Sequence, residues 1–512
     1  MSGGLATESV TDLATESVTD LATNSATQSA TQSATNLAAD LARESVSPTW
    51  PTSQYGLLRQ RRFAPFFLTQ FLGAANDNIF KIAFTGLVTF HAARFANVDA
   101  SRAAFLISAV FILPFVLFSA TAGQLADKLD KARIMRMVKN LEIVIMLIAS
   151  AGFWLYSAPL LYLCTFLMGV HSTLFGPTKY AYLPQHLSER ELTGGNGMVE
   201  MGTFVAILLG TIAGGALVDA GAGEVTHVVA GCVLVAVAGR VAAGFIPASP
   251  PHAPELVINW NPFTETWRNL RLAGAERTML VALLGISWLW FFGATFLTSF
   301  FNFARDVLGG DAEVVTLLLA LFSIGIGSGS LMCERLSGRR VELGLVPFGA
   351  IGMTLFAADL WWASRGLAPA AGGLVGLGDF LSGANLPGRA FTHWRIMVDL
   401  LLLSMFGGFY SVPLYAYVQA QSAPSHRARV IAALNILNAL FMIVSAVFAL
   451  ALFAAGGTIP QLFLATAVLN LCIAAMLCAA GPGLWSAFVR WVRRRNDTLG
   501  ASPEAEASGY RG

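Results

Sequence analysis

The sequence predicts an all-α integral membrane protein: twelve transmembrane helices forming two six-helix bundles related by a parallel pseudo-twofold repeat. Three observations carry this expectation. Hydrophobic residues make up 55% of the 512 residues and charged residues only 12%, with a mean hydropathy of +0.63. A soluble domain carries about 25% charged residues, so too little charge is present to cover a water-facing surface. From Phe63 onward, long apolar runs alternate with short basic loops, and motifs of the first half recur at equivalent places in the second. The net charge of +2 argues against a nucleic-acid partner, which needs a basic surface.

Residues 1–55 are a different material. The octad Leu5–Asp12 repeats as Leu13–Asp20, then decays into Ala-Thr-Gln-Ser units up to Asn36. Such a segment cannot bury enough apolar surface to offset chain entropy. It reads as a disordered, low-complexity cytoplasmic tail. It lacks the basic and apolar regions of a secretory signal, so no cleavage is expected.

The apolar runs fall at 63–91, 103–126, 135–157, 159–182, 197–219, 226–247, 278–304, 313–333, 343–363, 396–419, 430–454 and 459–481. Each approaches the ~20 residues that cross a hydrocarbon core of about 30 Å. They are too continuous for barrel strands, which alternate over about ten residues, so they read as helices. The N-terminal bundle is expected over 56–247 and the C-terminal bundle over 278–482. Between them lies a cytoplasmic linker, 248–277; Pro247, Pro250, Pro251 and Pro254 at its start stop the sixth helix. The stretch Asn261–Leu270 suits a short amphipathic helix lying at the interface. A basic amphipathic segment and tail, 483–512, close the chain.

Lys and Arg set the orientation. With a cytoplasmic N-terminus, 23 of the 32 basic residues fall on the cytoplasmic side, 6 on the other, and Lys81, Lys179 and Arg240 within spans. Both termini are therefore expected in the cytoplasm. The five cysteines sit in apolar runs without a CxxC pair or a His that completes a metal site, so no metal and no cofactor is expected.

Charge inside a span is costly and by default functional. The first helix carries Asn76-Asp77-Asn78 near its middle, with Lys81 one turn later on the same face. An acid and a base there can neutralise each other and still meet a polar headgroup; the alternative is a structural ion pair between helices. Lys179 follows Gly176-Pro177, where a helix break would free carbonyls beside a cation; alternatively it snorkels to the interface. Glu200 follows a glycine-rich stretch at the expected start of the fifth helix, where the helix dipole also favours an acid. Glu142, three residues after Lys139, reads as interfacial. The second half is far less charged, holding Ser287, Asn438 and Asn470 among Trp288, Trp290 and many Phe. A charged wall facing an aromatic one suits an amphiphile.

The halves echo each other. Pro177–Gln185, with its Tyr180-Ala-Tyr182, returns as Pro413–Gln419, with Tyr415-Ala-Tyr417. Gly123–Arg133, after the second helix, has its counterpart in Gly329–Arg340, after the eighth. The loop Gly123-Gln-Leu-Ala-Asp127-Lys128-Leu-Asp-Lys131-Ala-Arg133 resembles the signature of the major facilitator superfamily, with Asp130 in place of a glycine and Ala132 in place of a basic residue. That resemblance implies the major facilitator fold, and that the loop, through Gly123, Asp127, Lys128, Lys131 and Arg133, braces the second helix against a C-half helix. Four segments together resemble the lysophospholipid transporter branch of this superfamily: Gln70–Asn78, Phe175–Tyr180, Gly195–Glu200 with Ile207–Gly215, and Pro413–Ala416. The likeness runs over roughly 60–482. It implies flipping of lysophosphatidylethanolamine-like lipids to the cytoplasmic leaflet of the bacterial inner membrane, with Asp77, Lys179 and Glu200 as polar substrate and gating residues and Asn76, Asn78 and Lys81 beside them. Two departures stand out. The seventh helix has no base before Arg305 to pair with the first-helix acid, a role Lys81 is expected to take. The chain also lacks the acyltransferase that some relatives carry fused, so a separate acyltransferase is the expected partner.

An alternative within the same fold is a proton-coupled exporter of small amphiphilic compounds, with Asp77 as proton carrier. A membrane enzyme would need a nucleophile or base constellation, and none is present in the sequence. A non-transporting scaffold for an acyltransferase is the remaining class.

Overall fold

Helices coincide with the twelve apolar runs in a computed structural model that describes residues 53–95, 100–220, 224–367, 373–383, 390–481 and 483–500. The expected N-terminal repeat tail, up to residue 52, and Arg43, Arg389 and Arg511 of the basic tally lie outside the described residues. A 3-10 turn, Gln54–Arg59, leads into α1 (Ala64–Phe90), α2 (Ala100–Lys128), α3 (Lys131–Trp154), α4 (Ala158–His186), α5 (Glu189–Ala220) and α6 (Thr226–Gly244). A short helix α7 (Pro262–Ala273) precedes α8 (Arg277–Asn302), α9 (Ala312–Ser337) and α10 (Leu345–Ser364). After a one-turn helix α11 (Leu377–Ser382) come α12 (Ala390–Gln421), α13 (Arg427–Ala454), α14 (Ile459–Ala480) and α15 (Leu484–Gly500). Among the described residues, ten of these helices are long and apolar enough to cross a membrane by composition. The two other long ones, α1 and α3, carry Asp77, Lys81, Lys139 and Glu142.

Packing follows the repeat. In the first half α1 packs on α5 and α6, α2 on α4, and α3 on α4 and α6. In the second half α8 packs on α13 and α14, α9 on α12, and α10 on α12 and α14. Each pair of one half has its counterpart in the other. The halves meet along two seams, α2 against α13 and α5 against α9.

Small residues permit this closeness, as expected where helices associate in lipid. On α5, a Cβ at Gly210 would stand 2.4 Å from the Ala75 carbonyl oxygen of α1, and one at Gly214 would stand 2.9 Å from that of Ile79. On the two seams, a Cβ at Gly123 would meet the Ala432 Cβ at 2.6 Å, and one at Gly197 the Ser330 carbonyl oxygen at 2.4 Å. Helix starts obey local rules. Asp130 caps α3 by accepting from Arg133 N at 2.7 Å, and Thr458 with Gln461 forms a capping box at α14.

Two local expectations are corrected. The chain does not break at Gly176-Pro177, because α4 runs through Pro177 and Pro184. Neighbouring helices and Ser/Thr groups accommodate proline inside membrane helices, and Thr173 and Thr178 both bond back to the carbonyl four residues earlier. Glu200 does not sit at a helix start: α5 begins at Glu189 and continues through Gly194–Gly197, which places Glu200 three turns inside, beyond the reach of the dipole.

Candidate functional site

Polar side chains converge inside the first half, where α1, α3 and α4 meet. Asp77 Oδ2 accepts from Ser172 Oγ of α4 at 2.7 Å. Its Oδ1 is buried and has no protein partner among the described residues. Next to it, Asn76 Nδ2 donates to Glu142 Oε1 of α3 at 2.7 Å. Glu142 Oε2 accepts from Lys139 Nζ at 2.5 Å, and His171 Nε2 lies 3.2 Å away without hydrogen-bond alignment. The Lys139 and Glu142 side chains are 1% and 0% exposed, so the interfacial reading of Glu142 is corrected. The cause is a cavity for the lysine head: a Cβ at Gly73 of α1 would lie 2.7 Å from Nζ, and one at Gly239 of α6 would lie 3.3 Å from it. Two glycines admit an ammonium that an apolar pair would exclude.

Lys81 does not form the expected contact ion pair with Asp77. Its ammonium sits 4.3 Å from the centroid of the Phe111 ring on α2, a cation–π placement near Asp77 but without a contact ion pair among the described residues. Asn78 Nδ2 bonds back to Ala74 O at 2.7 Å, and its Cβ faces Gly210 of α5. Asn78 therefore belongs to the α1–α5 contact, apart from the Asp77 group.

A second group lies on the seam between the halves. Glu200, 5% exposed, accepts from Tyr180 OH at 2.6 Å. Tyr180 stacks on Tyr415 of α12 with centroids 4.7 Å apart and planes at 12°. Tyr415 OH in turn accepts from Trp290 Nε1 at 3.0 Å. Tyr180 and Tyr415 are the residues that the internal repeat aligns, so the repeat closes on itself here. Lys179 lies over the Tyr180 ring at 4.6 Å. One turn from Glu200, Asn196 and Gln419 exchange both amide bonds, at 3.0 and 2.7 Å. Within the second half, Trp288 of α8 donates to Asn470 of α14 at 2.7 Å and stacks on Phe291.

The loop between α2 and α3 closes the same end. Asp127 accepts from Ala428 N at 3.0 Å, Arg429 N at 3.3 Å and Arg429 Nε at 3.1 Å, so it caps α13 across the seam. Lys128 Nζ reaches Leu256 O of the linker at 2.7 Å, and Gln124 exchanges two bonds with Asn259. Lys131 is buried, whereas Arg133 is exposed and contributes its backbone N–H to the Asp130 cap. Asp130 departs from the glycine of the signature without strain, since its φ is −59°, a value open to any residue. At the other seam Glu334 accepts from Gln54 N at 3.0 Å. These contacts join the two halves at the end of the molecule that carries the basic loops.

The profile of the Major Facilitator Superfamily matches residues 66–386. The chain belongs to that superfamily. Within the superfamily it is LplT-like. It is 28% identical over 397 residues to the lysophospholipid transporter LplT of Serratia proteamaculans, covering 74% of this chain and 85% of the relative. It is 30% identical over 371 residues to that of Salmonella paratyphi B, covering 70% and 79%. The human organic anion transporter MFSD10 superposes with a TM-score of 0.63 at 14% identity, covering 81% of this chain and 99% of that structure; FucP in its outward conformation gives 0.60 at 12%, covering 82% and 99%. The major facilitator fold is thereby established, and the chain is a multi-pass membrane transporter rather than an enzyme.

The residues that the sequence nominated are thus divided. Asp77, Asn76 and Lys81 lie in the first half, with Asp77 and Asn76 in one network and Lys81 on an aromatic ring. Lys179 and Glu200 lie on the seam. Sequence reasoning passed over Ser172, His171 and Lys139. The run His171-Ser172-Thr173 interrupts an apolar helix, and that polar triplet was the available signal.

Proposed function

We propose that this transporter flips lysophospholipids to the cytoplasmic leaflet by alternating access of its two halves, with the basic end facing the cytoplasm of a bacterial inner membrane. The observation that carries the reading is Asp77: a carboxylate buried in a membrane helix, held by Ser172 on one oxygen and without a hydrogen-bond partner on the other among the described residues. A carboxylate left half-satisfied in low dielectric is costly unless a cationic group visits it. An ethanolamine headgroup has that charge, and Lys81 and Lys179 supply cations for its phosphate. The aromatic second-half wall accommodates an acyl chain. Glu200, Tyr180 and Tyr415 act as the gate at the cytoplasmic end, and the Asp127 cap holds it shut while the site opens outward. Asn76 keeps Asp77 in place through Glu142. The names of the LplT relatives support the cargo class, and a separate acyltransferase would consume the product.

Leaflet-resolved uptake of fluorescent lysophosphatidylethanolamine into proteoliposomes tests the reading. Asp77→Asn is expected to cut initial uptake about tenfold or more, the loss of one charge-assisted contact, with unchanged folding by thermal melt. Unaltered uptake refutes the site. An uptake rate that follows an imposed pH gradient in the wild type, with no lysolipid selectivity, favours the proton-coupled exporter.

A further inference from the structure

A buried ammonium outside the proposed cargo route lacks a hydrogen-bond acceptor among the described residues. Lys131, the first residue of α3, is 2% exposed, and its Nζ meets no acceptor among the described residues. The two carboxylates nearby are already engaged. Asp127 takes three N–H groups of α13, as described above. Asp130 takes Arg133 N on one oxygen and Ser249 N, at 2.7 Å, on the other. Arg427 adds positive charge near enough to act on the Lys131 ammonium. Arg427, 9% exposed at the first turn of α13, donates Nε to Ser422 O at 3.1 Å, and its terminal nitrogens make no other hydrogen bond among the described residues. Lys131 N donates to Ser249 O of the linker at 3.1 Å, and three residues on, His252 contacts Gln185 at 2.9 Å. Partial burial, then the Lys131 and Arg427 cations, hold the His252 imidazole below its ordinary range. The N-termini of α3 and α13 also lie here, each already capped by an aspartate, Asp130 and Asp127.

We infer that Lys131, Arg427 and His252 form a phosphate-binding site at the basic end, between α3, α13 and the linker, separate from the cargo route. The ligand is a phosphate monoester dianion, supplied as a lipid headgroup of the adjacent leaflet or as a free phosphate. It would bridge α3 of the first half to α13 of the second, and so add to the closed state without touching cargo. A buried ammonium without a hydrogen-bond acceptor is destabilising, and an anion that binds only the folded chain stabilises it by mass action.

The test uses the full-length protein in nanodiscs and reads the thermal midpoint. One arm titrates inorganic phosphate into phosphatidylcholine nanodiscs against chloride at matched ionic strength. The other replaces part of the phosphatidylcholine with phosphatidic acid, without free phosphate. A saturable rise in the first arm assigns a soluble anion, and a rise in the second alone assigns a headgroup. In the responding arm, Lys131→Met and Arg427→Met should each weaken half-saturation about tenfold, whereas exposed Arg190→Gln should leave it unchanged. Without anion, Lys131→Met should melt no lower than the wild type, which separates a lost response from a lost fold; Lys131→Arg, which keeps the charge, should restore the response. No rise in either arm, or a rise that Lys131→Met and Arg427→Met leave intact, overturns the site.

Discussion

Replacing Glu142 by Gln isolates the energetics of the buried network. At 2.5 Å, the Coulomb attraction of Lys139 and Glu142 is roughly 7 kcal/mol at an effective dielectric of about 20. Desolvating the two ions costs a similar amount, so the intact pair contributes little net stability. Removing one charge is different. The Lys139 ammonium stays confined between Gly73 and Gly239, where it has no route to water, and breaking such a pair costs about 3–5 kcal/mol. That is a large share of the ~5–15 kcal/mol that holds a typical domain together. The expected result is a marked loss of stability in Glu142→Gln and in Lys139→Met, but a smaller loss in the double variant than in either single one. Urea or thermal unfolding in detergent, arranged as a double-mutant cycle, reads this directly. A double variant that loses the sum of the single losses refutes the reasoning, because the two side chains would then be stabilised independently.

Two further outcomes follow from the closed end. Gln419→Leu removes both amide bonds to Asn196 and leaves a buried polar group unpaired, so the closed state should lose about 1–3 kcal/mol relative to the open one. Maleimide labelling of Thr193→Cys, buried beside this seam, should then accelerate roughly tenfold; unchanged labelling counts against Asn196–Gln419 as a latch. Gly210→Ala would push a methyl against the Ala75 carbonyl and should destabilise the protein by about 1–3 kcal/mol through overpacking, whereas Gly215→Ala, with open space around it, should not. Thermal melts of the two variants decide it, and equal midpoints would refute the close α1–α5 contact.

The long apolar runs and the recurring Tyr-Ala-Tyr motif made the architecture legible, because hydropathy over a span and repetition are properties of the chain itself. The site was legible only where charge stood alone. Asp77 in an apolar helix announces itself. Glu142 did not, since a glutamate three residues after a lysine beside a basic loop has the pattern of an interface, and only the space left by Gly73 and Gly239 on two other helices makes it a buried ion. Lys81 looked like the partner of Asp77 because the i,i+4 spacing allows it; the Phe111 ring on a different helix competes for the ammonium, and the sequence holds no trace of that competition. Gly176-Pro177 pointed to a break by the rules of soluble helices, which the packing of a membrane helix relaxes.

The hydrogen bonds that Asp77 accepts from α4 and that Asn76 donates to α3 have a mechanical consequence. They rivet three helices together, so the carboxylate is carried by a rigid group of helices and not by a flexible loop. In the proposed alternating-access cycle, whatever Asp77 grips would travel with all three helices at once, and the distance covered would be fixed by the angle of tilt and by how far Asp77 sits from the pivot.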